Sequence, residues 1–205
     1  MKLFFQYCSF GFSNCYILGT EDSAPEKEAI IVDPGAMNET IVGLIENNGY
    51  ALKGALITHD HLNHVHGLRT LKKIYNCPVY GINPVIREHS TTTVKDGDEF
   101  NIGAFRVEVL AVPGHSADLA VYKIDRMLFT GDALSAGFVG RTASSYGAAN
   151  QMTALRSKIL SLPKDCTILP GHGPPSILEA ERRFNIDINT YEAIKNRRQV
   201  FRLDY

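Results

Sequence analysis

An α/β fold follows from three features of this 205-residue chain. Short apolar segments of strand length recur along it, amphipathic segments of helical length alternate with them, and polar clusters sit directly after the apolar ones. The composition, 44% hydrophobic and 21% charged with 17 glycines and 9 prolines, suits a globular protein with a full core and excludes disorder, collagen and coiled coil. Lys+Arg 21 against Asp+Glu 22 leaves a net charge of −1, so no broad field favours nucleic acid or an anionic membrane. The apolar runs are strand-sized, too short for a membrane span, and Leu3-Phe4-Phe5 ahead of Gln6 is too short for a secretory signal. The expectation is one soluble, cytoplasmic domain over residues 1–205 that acts on a small molecule, with no nucleic-acid or membrane partner.

Leu3–Tyr7, Cys15–Leu18 and Ala29–Val32 are apolar, short and ended by Gly, Asp or Pro, the marks of strands. Asp33-Pro34-Gly35 is a turn. Asn38–Asn48 carries Ile41, Leu44 and Ile45 at helical spacing and stops at Asn47-Asn48-Gly49. Gly54–Thr58 is a further strand. After a histidine cluster, Val65–Tyr75 repeats Leu68, Leu71 and Ile74 on one helical face. A second run of elements starts at Asp96. The strand Val107–Val112 ends in Pro113-Gly114-His115, and Leu119–Ile124 with Met127–Thr130 forms a hairpin around Asp125-Arg126 that runs into Gly131-Asp132. Ala136–Ala149, rich in small residues, reads as a mobile loop. Met152–Leu162 is helical, and Thr167–Leu169 is a strand ending in Pro170-Gly171-His172-Gly173. A last helix is expected over residues 187–200, with Ile188, Tyr191 and Ile194 on one side and Lys195, Arg197 and Arg198 on a solvated face. The four cysteines, Cys8, Cys15, Cys77 and Cys166, lack CxxC spacing and read as buried thiols.

Five polar signals lie just beyond apolar strands: His59-x-His61, Asn63-His64, His115, Asp132 and His172. One histidine after a strand is an ordinary surface or core group. Four within eight residues (His59, His61, His64, His66), with two more in Pro-Gly-His turns, are not explained by packing. Strand-end loops of a sheet gather at one edge, so distant positions converge. Imidazole nitrogens with one carboxylate suit Zn2+, and also iron or manganese. His59 and His61, two apart, both face such an ion; His64 reaches a second position beside it; and Asp132 has two oxygens with which to bridge two ions. His66 and His89 are assigned to packing. A bound ion would lower the pKa of a water from 15.7 toward roughly 7 and polarise a carbonyl, which suits a thioester or activated ester.

Thr58-His59-Asp60-His61-Leu62-Asn63-His64-Val65-His66-Gly67 resembles the THxHxDHxxG signature of the metallo-β-lactamase superfamily. Pro113-Gly114-His115-Ser116, Gly131-Asp132 and Pro170-Gly171-His172-Gly173-Pro174 match its later metal motifs in the same order, and Asp33-Pro34-Gly35 looks like its early turn. The resemblance covers nearly the whole chain and implies an αββα four-layer sandwich with metals at one edge of the paired sheets. Gly140-Arg141-Thr142, the PGHGP turn, and Glu181 with Asn185 look most like the short glyoxalase II-like hydrolases. The resemblance implies a metal-dependent hydrolase of a small thioester or ester, with a first site of His59, His61, His115 and Asp132 and a second of His64, His172 and Asp132. Full-length glyoxalase II carries a longer helical C-terminal region that binds glutathione, so that substrate site is expected to be absent or much reduced here.

Asn63 departs from the signature, standing where the superfamily has a catalytic and metal-binding aspartate. A neutral amide is a poor base and a weaker donor, which predicts a well-filled first site and a weak or empty second. Asp60, between the two histidines of the pair, is expected to point away. Arg141, Ser145 and Tyr146 follow the Asp132 motif and are candidates for the substrate mouth. Two alternatives accompany the hydrolase. Some members of the superfamily are persulfide dioxygenases with one iron held by two histidines and an aspartate, for which His59, His115 and Asp132 would serve. A degenerate, non-catalytic member would owe its state to Asn63.

Overall fold

The computed structural model describes residues 1–191. In chain order its strands are β1 Lys2–Cys8, β2 Ser13–Gly19, β3 Glu28–Val32, β4 Ala51–Leu56, β5 Val79–Gly81, β6 Val85–Ile86, β7 His89–Ser90, β8 Thr92–Thr93, β9 Glu99–Ile102, β10 Phe105–Ala111, β11 Ala120–Ile124, β12 Met127–Gly131, β13 Leu134–Ser135, β14 Phe138–Val139, β15 Thr167–Pro170 and β16 Ser176–Ile177. The helices are α1 Glu39–Glu46, α2 Leu62–Val65, α3 Leu68–Ile74, α4 Ser145–Ala154 and α5 Leu178–Phe184. The last turn of α4 widens over Leu155–Ile159, where Leu160 N–H bonds Leu155 O at 2.7 Å.

Two six-stranded sheets form, in the orders β1-β2-β3-β4-β5-β8 and β16-β15-β12-β11-β10-β9. Side chains alternate across each strand and so supply three apolar layers. On β2 and β3, Cys15, Ile17 and Ile31 point outward to meet Ile41 and Ile45 of α1 and Leu68 and Leu71 of α3. Their neighbours Tyr16, Leu18, Ile30 and Val32 point inward against Phe105, Val107, Tyr122 and Phe129 of the second sheet. Val121, Leu128 and Ile168 face the other way, onto Met152, Leu155, Ile159 and Leu178. Helix, sheet, sheet, helix is the expected αββα order.

Most expected elements form within a few residues of their expected bounds. Asn38 caps α1, its side-chain oxygen accepting from Ile41 N–H at 3.0 Å. The helix expected over Val65–Tyr75 is divided at Gly67. Its N–H bonds Pro34 O at 2.8 Å, and a Cβ there would lie 2.5 Å from the Ala36 carbonyl carbon, so this position accepts only glycine and pins the histidine loop to the Asp33 turn. The mobile loop expected over Ala136–Ala149 is corrected: β13 and β14 form a hairpin and α4 begins at Ser145, capped by the Ser144 hydroxyl. Of the helix expected over residues 187–200, residues 186–191 are helical, and the remainder, with Lys195, Arg197 and Arg198, lies outside the described residues. All four cysteines are buried free thiols. No helix among the described residues is long and apolar enough to cross a membrane.

Candidate metal centre

The strand ends deliver the polar side chains to one edge of the sandwich. Asp33 follows β3 in a left-handed conformation (φ +50°) and is buried at 2% exposure. Its carboxylate accepts from the Thr58 backbone N–H at 2.8 Å and the Thr58 hydroxyl at 2.6 Å, and faces His64 Nδ1 at 2.9 Å. The loop after β4 brings His59, His61 and His64; the loops after β10, β12 and β15 bring His115, Asp132 and His172.

Four of the five imidazoles are held by their outer nitrogen. His64 Nδ1 faces Asp33, His59 Nδ1 lies 3.1 Å from the Thr58 hydroxyl, His115 Nδ1 donates to Arg141 O at 2.7 Å, and His172 Nδ1 donates to Phe12 O at 2.8 Å. Each Nε2 is thereby turned inward, the arrangement that fixes the tautomer of a ligating histidine. His61 is reversed: its Nδ1 faces inward, 2.9 Å from His59 Nε2 and 3.0 Å from His115 Nε2. Asp132 lies between them, with Oδ2 3.8 Å from His59, 3.4 Å from His115 and 3.7 Å from His172, and Oδ1 3.4 Å from His64.

Two groups of candidate donors share Asp132. One atom each from His59, His61, His115 and Asp132 lie within 4.8 Å of one another, as do those of His64, Asp132 and His172. His64 Nε2 and Asp132 Oδ1 are buried without a hydrogen-bond partner. Orphaned polar atoms in such a place are costly unless something else satisfies them. Gly171 leaves the room beside them, since a Cβ there would come within 2.5 Å of both Asp132 Oδ1 and His64 Cε1. The mixed imidazole and carboxylate donor set is the kind that suits a divalent cation.

Electrostatics divides the histidines. Burial, reinforced by the neighbouring His64, lowers His59 to about 3. Burial and His115 also lower His61. Burial opposes charge on His64 too, but Asp132 and Asp33, one facing each ring nitrogen, more than offset it and raise His64 to about 10. Asp132 is held below the usual carboxylate range by His64, His59 and His172 despite its burial.

Above the cluster opens a cavity of about 670 Å³ lined by His115, Asp132, Ser135, Phe138, Arg141 and His172, among others. Its rim is fixed from behind. Buried Glu181 accepts from Gly137 N–H at 3.0 Å, the Ser176 hydroxyl at 2.5 Å and Asn185 Nδ2 at 2.7 Å. Gln151 Nε2 donates to Ala133 O at 3.2 Å and Gly140 O at 3.1 Å, and Asp187 receives Val139 N–H at 2.8 Å.

The five histidines and Asp132 named from the sequence converge, with Asn63 at the edge, its Nδ2 2.9 Å from His172 Nε2. Arg141 lines the cavity; Ser145 and Tyr146 do not, and Tyr146 is 76% exposed on α4. Asp60 turns away to Arg87, Oδ1 to Nε 3.0 Å. His66 stacks on Phe10 at 4.3 Å. Asp33 is the participant that sequence reasoning assigned only to a turn. Its position at a strand end, directly before Pro-Gly, was the available signal.

A profile of the metallo-beta-lactamase superfamily matches residues 8–172. The chain belongs to this superfamily. An uncharacterized protein of Mycobacterium bovis is 30% identical over 207 residues, 84% of this chain and 91% of that protein. A hydroxyacylglutathione hydrolase of Idiomarina loihiensis is 34% identical over 162 residues, 78% of this chain but only 62% of that protein. Among solved structures, ETHE1 from Myxococcus xanthus shares 25% identity and a TM-score of 0.76 over 91% of this chain and 84% of that one. TTHA1623 in a di-iron-bound form shares 26% identity and a TM-score of 0.75 over 89% and 98%. Superfamily membership makes metal-dependent hydrolysis the general expectation for the cluster.

Proposed function

We propose that this chain is a metal-dependent hydrolase of a small thioester or ester, acting in the cytoplasm, where its four buried free thiols suit a reducing compartment. The observation that carries the reading is the His/Asp cluster at the base of a cavity large enough for a small acyl compound. His59, His61, His115 and Asp132 are proposed to hold the first ion, taken to be zinc; His64, His172 and Asp132 form the second group, weakened by Asn63. A divalent cation held there supplies Lewis acidity, polarising a carbonyl and acidifying water. The protein's own part is orientation. Thr58, Arg141 O and Phe12 O fix three rings, and Asp33 fixes the fourth. Arg141 at the cavity wall offers a guanidinium to an anionic end of the substrate. A thioester fits because a thiolate leaves with little help from a general acid.

Purified, metal-loaded protein should turn over S-D-lactoylglutathione or a simple thioester. Absence of turnover with every such compound at full metal occupancy would overturn the proposal. A mononuclear-iron oxidoreductase is the second reading, favoured by the two histidines and one carboxylate of His59, His115 and Asp132 beside a second group that Asn63 weakens. Oxygen uptake with glutathione persulfide, together with elemental iron, separates it from the first.

A further inference from the structure

Asn63 and His172 form a pair apart from the rest of the cluster. Asn63 lies in α2, half-buried beneath the loop that joins β1 to β2. A Cβ on Gly11 of that loop would come 2.4 Å from Asn63 Cβ, and the Ser13 hydroxyl donates to Asn63 O at 2.5 Å. The side chain therefore has little freedom to move aside. Its Nδ2 lies 2.9 Å from His172 Nε2, while Nδ1 of the same ring lies 2.8 Å from Phe12 O.

These two distances fix the hydrogens. A carbonyl oxygen only accepts, so His172 Nδ1 carries the ring hydrogen, and in the neutral ring Nε2 presents a bare lone pair. The Asn63 group facing it must then be the NH₂, because the amide oxygen would set two lone pairs against each other. The His172 lone pair is thus used in a hydrogen bond. It is the same lone pair that would bind a cation in the group of His64, Asp132 and His172. Without it, that group keeps two donors, fewer than the three or four of a protein zinc site. Among the described residues no amide caps an inward nitrogen in the other group, where His59, His61 and His115 face one another and Asp132.

We propose that Asn63 latches His172 through its amide hydrogen, so that this chain holds one divalent cation, bound by His59, His61, His115 and Asp132, and His172 is not a ligand. The inference rests on the metal-binding part of the proposed function and not on hydrolysis. The chain is stripped with chelator, equilibrated with Zn2+, and its zinc per chain counted by elemental analysis, with calorimetric titration for the affinity. One equivalent is expected. His172→Gln should retain it with affinity unchanged within about twofold, and His115→Gln should lose it. Asn63→Asp should add a second equivalent, which Asn63→Asp combined with His172→Gln removes again. Two equivalents in the unmodified chain, one of them lost in His172→Gln, would overturn the latch. So would a folded Asn63→Asp protein that still binds one. If Asn63→Asp does not fold, by circular dichroism, the single His172→Gln substitution decides alone. The count is independent of turnover: one equivalent without thioesterase activity overturns the hydrolase and leaves the latch standing, whereas no bound zinc overturns both.

Discussion

The two groups of donors that meet at Asp132 are built to different standards. In the first, the His59 side chain is wholly buried, its pKa lies at about 3, and its ring is held by Thr58 directly beyond a central strand. Its inward nitrogen is unprotonated at neutral pH and lies 2.9 Å from His61 Nδ1, which in turn lies 3.0 Å from His115 Nε2. In the second, His64 sits between two carboxylates with a pKa of about 10, and the side chain of His172 is 37% exposed and leans on Phe12. Phe12 itself adopts φ +57°, a conformation that costs a non-glycine residue roughly 1–2 kcal/mol. One group is ready for a cation. The other is occupied by a proton on His64 and an amide on His172. Similar donor types in one cluster therefore do not imply similar sites; the partners of the outer nitrogens and the local charge decide.

Removing the residue the two groups share should have the largest effect. Asp132→Ala is expected to abolish stoichiometric zinc binding and to lower kcat/KM by more than the roughly 10–100-fold typical of losing a ligand's hydrogen-bond partner. A variant that keeps its zinc and its rate would dissolve the distinction, because neither group would then need the carboxylate. Asp33→Ala comes next. It strands the Thr58 N–H and His64 Nδ1, so a stability loss of about 1–3 kcal/mol per unpaired buried group is expected in denaturant titration. Zinc affinity should fall by roughly 10–100-fold, as for other groups that orient ligands.

The pH dependence of the chelator-treated protein sharpens the contrast further. His59 has a folded pKa of about 3, so its contribution is present above pH 6.5 and is lost as pH falls from 6.5 toward 3, where the unfolded chain takes up a proton and the folded one does not. His64, raised to about 10, contributes in the opposite sense: its stabilisation is full below pH 6.5 and disappears as pH rises toward 10. The melting temperature of the stripped protein should therefore peak near pH 6.5 and fall on both sides. A curve flat from pH 5 to 9 would contradict the opposed protonation of the two groups. The smallest effect is expected for Arg141→Ala. His115 is held by the Arg141 carbonyl, which the substitution keeps, so zinc content should stay unchanged while KM for an anionic thioester rises by about tenfold, the worth of one charge-assisted hydrogen bond.

Most strands around the site were legible as runs of apolar residues ended by Gly, Pro or Asp, whereas β4, which carries the histidine loop, holds Lys53 and Gly54 and runs into Ile57-Thr58-His59. β2, β3, β10, β11, β12 and β15 are all of the first kind. The pairs β6 with β7 and β13 with β14 contribute two residues per strand, too few for any period to register, and their pairing is decided by tertiary contacts. α4 begins earlier than expected because Ser145–Ala149 shows no apolar stripe; the Ser144 cap and packing of Met152 and Leu155 hold it. For the site, residue type and position after a strand sufficed to name His59, His61, His64, His115, Asp132 and His172. The function of Asp33 could not be read the same way, since its partners Thr58 and His64 are brought to it only by the parallel pairing of β3 with β4.

The two sheets are fastened to each other at the cluster by protein alone. Asn14 of β2 donates from its backbone to Gly171 O at 2.8 Å and from its side chain to Pro170 O at 2.9 Å and Gly173 O at 2.8 Å. The Tyr16 hydroxyl donates to Pro170 O at 2.7 Å, and Ala120 N–H reaches across to Thr58 O at 2.8 Å. A socket braced in this way keeps its shape when empty. If an ion binds there, loading and unloading would be a reversible exchange with the surrounding pool of ions, with no refolding step.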